Sequence, residues 1–191
     1  MPVNEDFEQI LGQKVILRRF LQSDITPQYI SWLNDPEVVR YSEQRFIRHT
    51  KTSCLAYWDS FLRSPNLFLI VKTLSDDMPV GTMTAYVSSP HGTVDIGILI
   101  GRKSVWGSGV GQDAWNTLVN WFIERRKISK VTAGALSDNK AMIRIMERSG
   151  MRLISLESKL EQRDGMLANI GYFCKDGHQS SQLIEGSVGI K

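Results

Sequence analysis

The stretch Val105-Trp106-Gly107-Ser108-Gly109-Val110-Gly111-Gln112 limits what this chain can fold into more than any other. It follows an apolar run, Val94 to Ile100, and precedes a segment in which Trp115, Leu118, Val119 and Phe122 recur at helical spacing. A strand therefore hands over to a helix through three glycines at alternate positions. Glycine has no Cβ, so it admits positive φ and lets a ligand lie against bare backbone. The first turn of a helix leaves N–H groups unpaired and carries the positive end of the helix dipole. Together these features make a place for a phosphate or pyrophosphate. A loop that only turned a corner would not need glycine three times.

Two phosphate-binding patterns do not fit. The dinucleotide fingerprint requires G-x-G-x-x-G, whereas this spacing is G-x-G-x-G, in a unit that lies mid-chain behind several strand candidates. The Walker loop requires G-x-x-x-x-G-K-[ST], which Gly101-Arg102-Lys103-Ser104 does not supply. The stretch resembles instead the acetyl-coenzyme A loop of the GCN5-related N-acetyltransferases, [R/Q]-x-x-G-x-[G/A], with Trp106 in place of the usual Arg or Gln. That replacement is common in the branch resembling the ribosomal-protein alanine acetyltransferases. A second segment, Asn139 to Met151, is similar to the family's N-x-x-[S/A]-x-x-x-x-E-[K/R]-x-G-[F/M]. The resemblance covers residues 14 to 175.

At 191 residues the chain reads as one domain with a substantial core. The organisation expected is an arm over 1–13, a domain over 14–175 and a polar tail over 176–191. No apolar stretch approaches a membrane span and the N-terminus is no signal peptide, so a cytoplasmic location is the default expectation. A net charge of +3 without a concentrated basic patch gives no reason to expect nucleic acid. Cys54 and Cys174 show neither disulfide-framework nor metal-ligand spacing, so they are expected as buried thiols with no metal.

In order, Val15 to Phe20 reads as a first strand. Ser23-Asp24 offers a cap for a helix carrying Pro27, Tyr29, Ile30, Trp32 and Leu33, and Glu37 to Tyr41 a short second helix. Tyr41 to Thr50 is an irregular polar segment, and Lys51 to Arg63 a helix. Asn66 to Thr73, Val80 to Ser88 and Thr93 to Ile100 are strands, the last two joined by Ser89-Pro90-His91-Gly92. The glycine loop and a helix to Arg126 follow, then a strand over Lys130 to Leu136. A helix capped by Ser137 or Asp138 ends at Gly150, and a hairpin turns around Arg163-Asp164-Gly165. This is a mixed α/β domain. The resemblance implies a mostly antiparallel sheet of about seven strands, splayed between the fourth and fifth and flanked by helices.

The resemblance also implies the ligand and its contacts. Acetyl-CoA would be the cosubstrate, its pantetheine arm filling the splay like an added strand. Ile98, Leu99 and Ile100 would offer backbone to that arm, with Leu99 or Ile100 N–H as oxyanion donor. Trp106, Gly107, Ser108, Gly109, Val110, Gly111 and Gln112 would hold the pyrophosphate. Asn139 would bond the pantetheine or its water, or serve as a helix cap. Asp95 stands where relatives often carry a Glu that acts as base or anchors a water; otherwise it is a strand-end carboxylate paired with an arginine. Met146 occupies the position where many relatives carry a proton-donating Tyr, and Tyr86, Ser88 and Tyr172 are alternative donors.

The implied activity is N-acetylation of a primary amine by a monomer or homodimer. The segment Trp32 to Glu43 looks like members found with surface-polysaccharide pathways, which points to a small-molecule amine such as an amino-sugar nucleotide. Arg40, Tyr41, Glu43, Arg45 and Arg48 are the candidate acceptor-binding residues, the arginines for a diphosphate. A protein N-terminus is the second acceptor class. A non-catalytic coenzyme-binding sensor is the alternative of a different kind.

Overall fold

The computed structural model describes residues 9–160 and 167–177. Its elements are β1 (Gln9–Leu11), β2 (Val15–Arg19), α1 (Pro27–Asn34), α2 (Lys51–Leu62), β3 (Leu67–Thr73), β4 (Pro79–Ser88), β5 (Thr93–Ile100), α3 (Val110–Asn120), β6 (Lys130–Leu136), α4 (Lys140–Arg148), β7 (Arg152–Leu160) and β8 (Leu167–Asp176). The strands form one sheet in the order β1-β2-β3-β4-β5-β6-β8-β7. Every pairing is antiparallel except β5 with β6, which α3 connects as a crossover.

Alternation along β3 explains the two layers of helices. Leu67, Leu69 and Val71 enter one core with Trp115 and Leu118 of α3, Phe122 of the turn that follows it and Met146 of α4. Phe68 and Ile70 enter the other, with Tyr29, Trp32 and Leu33 of α1 and Cys54 and Phe61 of α2. A strand covered on both faces has no polar side, which is why this one reads as an unbroken apolar run. Trp115, Phe122 and Leu118 are fully buried, each such side chain stabilising the fold by roughly 1.5–3 kcal/mol.

The β5–β6 seam positions the site. Its register holds only for Thr93 with Lys130, Val94 with Val131 and Asp95 with Thr132. Beyond Asp95 the two strands diverge, so the sheet is open between Ile96–Ile100 and the rest of β6. The first turn of α3 packs at the wide end of this opening. A Cβ on Gly111 would stand 3.5 Å from Ile100 Cγ1 and 3.6 Å from Ile145 Cδ1 of α4.

Several local expectations are corrected. The sheet has eight strands, because Gln9–Leu11, assigned by sequence to an arm, pairs with β2. The strand counted fourth in the sequence is therefore β5. Thr26, not Ser23 or Asp24, caps α1: its side chain accepts from Tyr29 N at 3.2 Å and Pro27 supplies a fixed φ at the first helical position. Asp24 is committed instead to Arg18, at 2.7 and 2.8 Å. Glu37 to Tyr41 forms turns rather than a helix, since the Asp35 side chain takes Glu37 N and Ser42 then caps a short 3-10 turn over Glu43–Phe46. α3 stops at Asn120 and continues as a wider π turn over Trp121–Arg125. Asn139, rather than Ser137 or Asp138, caps α4. Cys54 and Cys174 are both buried and free. The hairpin turn at Arg163-Asp164-Gly165 and the tail beyond Gly177 lie outside the described residues.

Candidate functional site

The glycine loop ends in a cradle of unclaimed donors. Gly107 and Gly109 have φ of +76° and +87°, and Gly109 caps α3 in the left-handed region that a side chain would strain. Among the described residues, no protein acceptor meets the N–H of Gly107, Gly109, Val110, Gly111 or Gln112. These donors lie at the positive end of the α3 dipole, the arrangement that suits an anion. The other predicted loop atoms do different work. Ser108 Oγ donates to Val105 O at 2.6 Å, the Val110 side chain is buried, and Gln112 Nε2 ties α3 to α4 by donating to Ile145 O at 3.1 Å. Trp106 Nε1 donates to Ile100 O at 2.9 Å and holds the loop against the end of β5.

Sequence reasoning missed one member of this cradle. Lys14, in the β1–β2 turn, donates from Nζ to Ser108 O at 2.6 Å, and the same Nζ would stand 3.2 Å from a Cβ on Gly109. Asp113 of α3 holds the turn by accepting from the N–H groups of Gln13, Lys14 and Val15 at 3.2, 2.7 and 3.1 Å. A cation thus joins the loop from 94 residues away, a separation that no local pattern reports.

Along the opening, backbone direction decides which groups are available. In an antiparallel ladder the N–H and C=O groups of successive residues point to alternate sides. Gly101 N donates to Val80 O of β4, while Gly92 O accepts from Ser129 N on the β6 side. By the same alternation Leu99 turns its backbone to Thr82 of β4, and Ile98 and Ile100 turn theirs to the opening, as does the carbonyl of Ile96, whose N–H completes the Asp95–Thr132 pairing. Ile98 therefore leaves both its backbone groups to the opening. Leu99 is corrected, because its N–H is committed to β4, and Ile96 takes its place. Ile100 keeps only its N–H, since Trp106 already engages its carbonyl. At the far side Asn139 Oδ1 accepts from Met142 N at 3.1 Å, so the cap role holds and only the amide NH2 is left to bond a ligand.

A cavity of about 480 Å³ lies on the opposite face of the sheet from α3. Its floor is Phe68, Thr82, Thr84, Gly97 and Leu99, and its walls come from Tyr29, Cys54 and Tyr57 of the two helices on that face. Ser42, Gln44, Ile47 and His49 close it from the irregular segment. None of Arg40, Tyr41, Glu43, Arg45 or Arg48 is among the lining residues. The Arg40 guanidinium lies 4.6 Å over the Tyr41 ring, and that of Arg45 4.1 Å over Phe46. A flat cation beside an aromatic neighbour stacks locally rather than reaching into a cavity. Among the described residues the lining contains no Asp, Glu, Lys or Arg.

Asp95 sits at the closed end of the opening, on the same strand face as Gly97 and two residues beyond the cavity lining. Its Oδ2 accepts from Thr132 Oγ1 at 2.8 Å, so its partner is a hydroxyl on β6 and not an arginine. The residue keeps solvent contact, yet enough protein surrounds the carboxyl for desolvation to push its pKa up, with the Thr132 hydrogen bond opposing. Opposite Asp95 on β4 is Tyr86, whose hydroxyl lies 2.9 Å from that of Tyr57 in the cavity wall.

Comparison with known proteins matches residues 14–152 to a family model described as an acetyltransferase (GNAT) domain. The chain belongs to the GNAT acetyltransferase family. It is therefore an acyltransferase, with the splayed sheet of that fold. The solved structure of a GNAT-family acetyltransferase from Bacillus anthracis superposes with a TM-score of 0.76, at 17% identity, over 88% of this chain and 98% of that one. A ribosomal L7/L12 alpha-N-protein acetyltransferase in complex with coenzyme A gives 0.77 at 13% identity, over 89% and 98%. A ribosomal-protein-alanine N-acetyltransferase from Brucella melitensis gives 0.70 at 16%, over 84% and 98%. Identities this low establish likeness of fold alone. No curated protein sequence matches the chain.

Within this acetyltransferase the position of the common proton-donating Tyr is closed to chemistry, because Met146 is wholly buried in the core. Of the alternative hydroxyls, Tyr86 is bonded to Tyr57 and Ser88 lies at the far end of β4. Tyr172 of β8 lies over Gly134 of β6, its ring carbons 3.4 and 3.5 Å from where a Cβ would stand. Gly134 shares a strand face with Thr132, so this ring stands on the Asp95 side of the sheet across the opening.

Proposed function

We propose that this protein transfers the acetyl group of acetyl-CoA to a primary amine held in the cavity between the two helices and β3–β5. The observation that carries this reading is a coincidence of place. Five unclaimed N–H groups and the Lys14 ammonium gather where the sheet stands open. A diphosphate suits the first feature, and a chain able to bond strand backbone suits the second. Acetyl-CoA has both, and supplies the reactive thioester.

The residues would divide the work as follows. Gly107 to Gln112 and Lys14 grip the diphosphate, and Ile96 and Ile98 align the arm. The Ile98 or Ile100 N–H, facing the opening, is placed to receive the negative charge that develops on the carbonyl oxygen. Asp95 anchors a water at the closed end, and Tyr172 is the best-placed hydroxyl to return a proton to the leaving sulfur. The cavity is large enough for a monosaccharide or a terminal amino acid. An amino-sugar nucleotide would place its sugar there and its diphosphate toward Arg40, Arg45 and Arg48 outside the lining. A protein N-terminus is the second reading, favoured by the shared fold of the ribosomal-protein acetyltransferases.

Calorimetric titration of coenzyme A into Gly109→Asp is the direct test. A carboxylate at a left-handed position beside the donors, paired with Lys14, should abolish binding while thermal stability falls only modestly. Unaltered affinity in a folded variant would remove the cradle from the site.

A further inference from the structure

The proposal concerns the acceptor side and rests on the cavity being the amine site. His49 lines the cavity, and its Nε2, shielded from solvent, has no hydrogen-bond partner among the described residues. A buried polar atom without a partner costs about 1–3 kcal/mol, so its retention asks for an explanation. The side chain is not there by accident of a loose loop. Asn34 clasps the His49 backbone twice, accepting from its N–H and donating to its carbonyl, each at 2.9 Å.

The other titratable groups lining the cavity cannot take a proton near neutrality. Tyr29 and Tyr57 are pushed far up, chiefly by burial, and burial also raises the Cys54 thiol. All three stay protonated. Asp95 lies outside the lining, beyond the row that carries Gly97. Among the described residues the lining offers an entering ammonium no carboxylate to pair with, and an unpaired buried charge is expensive. The ammonium has to give up its proton inside, and the unpartnered Nε2 is the nitrogen present to take it.

We infer that His49 Nε2 takes the proton from the acceptor ammonium, and that this makes the enzyme select weakly basic amines. The ammonium gives one proton to Nε2, from which it passes to solvent. The freed nitrogen lone pair forms the N–C bond to the thioester carbonyl. The C–S bond then breaks with its electron pair going to sulfur, and the second amine proton ends on that sulfur. Imidazole is a weaker base than alkylamines, so the first transfer is uphill, tenfold more for each unit of amine basicity. An α-amine near 7.8 is therefore favoured over a lysine-type amine near 10.4 by about 400-fold. An amino sugar or a peptide N-terminus qualifies, and a lysine side chain does not.

The test uses the full chain with acetyl-CoA and three amines: 2-amino-2-deoxyglucose, alaninamide and n-butylamine. The wild type should release thiol with one of the first two and at least about 100-fold more slowly with n-butylamine. His49→Ala should lower kcat by about 100-fold or more, leave coenzyme affinity unchanged, and regain rate when imidazole is added. His49→Gln, which keeps a polar side chain without its basicity, should stay slow. The His49 ring resonances should shift on titrating the preferred amine into protein saturated with coenzyme A. Full activity in either variant, or slow His49→Ala that imidazole does not restore, overturns the assignment. A wild type that binds coenzyme A but acetylates none of the amines counts against the acceptor reading itself.

Discussion

Asp95 shows how one side chain can serve activity against stability. Its carboxyl is desolvated and its only recorded partner is Thr132, so the fold prefers it protonated. A folded-state pKa above the unfolded value means that the native chain binds the extra proton. Stability is then lost as pH rises from the ordinary carboxylate range through the raised value. At neutral pH the ionised group is therefore a burden, and Asp95→Asn should melt at the same temperature or higher. The same change should slow turnover about tenfold or more without altering coenzyme affinity, because a neutral amide would no longer draw a proton from the water proposed there. Below the ordinary carboxylate range the difference in melting temperature should disappear. Calorimetric melts across pH with a kinetic assay decide it; a destabilised, fully active variant would make the residue merely structural.

The residue scale also shows what a sequence can disclose. Gly109 was legible because a left-handed cap beside a ligand admits almost no other residue. Lys14 and the Ile98/Leu99 alternation were not, since both depend on what lies across the fold rather than along the chain. His49 and its companions Ser42, Gln44 and Ile47 sit in a segment without period. Only the packing of that segment on the two helices decides which of its side chains face inward. Two of the arginines chosen by charge, Arg40 and Arg45, stack on Tyr41 and Phe46.

At the scale of elements, α4 carries a cap with two potential duties. Asn139 Oδ1 closes the helix by accepting from Met142 N, while its NH2 is left over. Aspartate preserves the oxygen and removes the donors. Asn139→Asp should thus keep stability and weaken coenzyme A by about 3- to 10-fold, the worth of one lost hydrogen bond. Asn139→Ala should cost about 1 kcal/mol of stability in addition. Chemical denaturation paired with calorimetry separates the two duties; equal affinity in Asn139→Asp would leave only the cap. The elements themselves were mostly readable, because β3, α2 and the α3 segment have strong apolar patterning. Glu37 to Tyr41 was not, since side-chain caps from Asp35 and Ser42 captured its backbone for turns.

For the whole molecule, the sheet has two parts that share one short seam, three residue pairs long. The parts are β1–β5 and β6–β8, with α3 crossing between them. A ligand bonded along the opening should protect backbone amides that the protein leaves unprotected. Hydrogen exchange at Ile98 and Ile100 should slow at least about tenfold when coenzyme A is added, while Leu99, already committed to β4, changes little. Equal protection at all three would show that the alternation assigned to β5 is wrong.

The short β5–β6 seam has a consequence for how such a chain can be improved. Substitutions that zipped the two strands together past Asp95 would complete the ladder, and a selection for heat resistance alone would favour them. They would also shut out the visiting strand that the gap admits. Robustness in this protein must therefore be sought in the two helical layers, because the place with most room to gain is the one it has to leave unfinished.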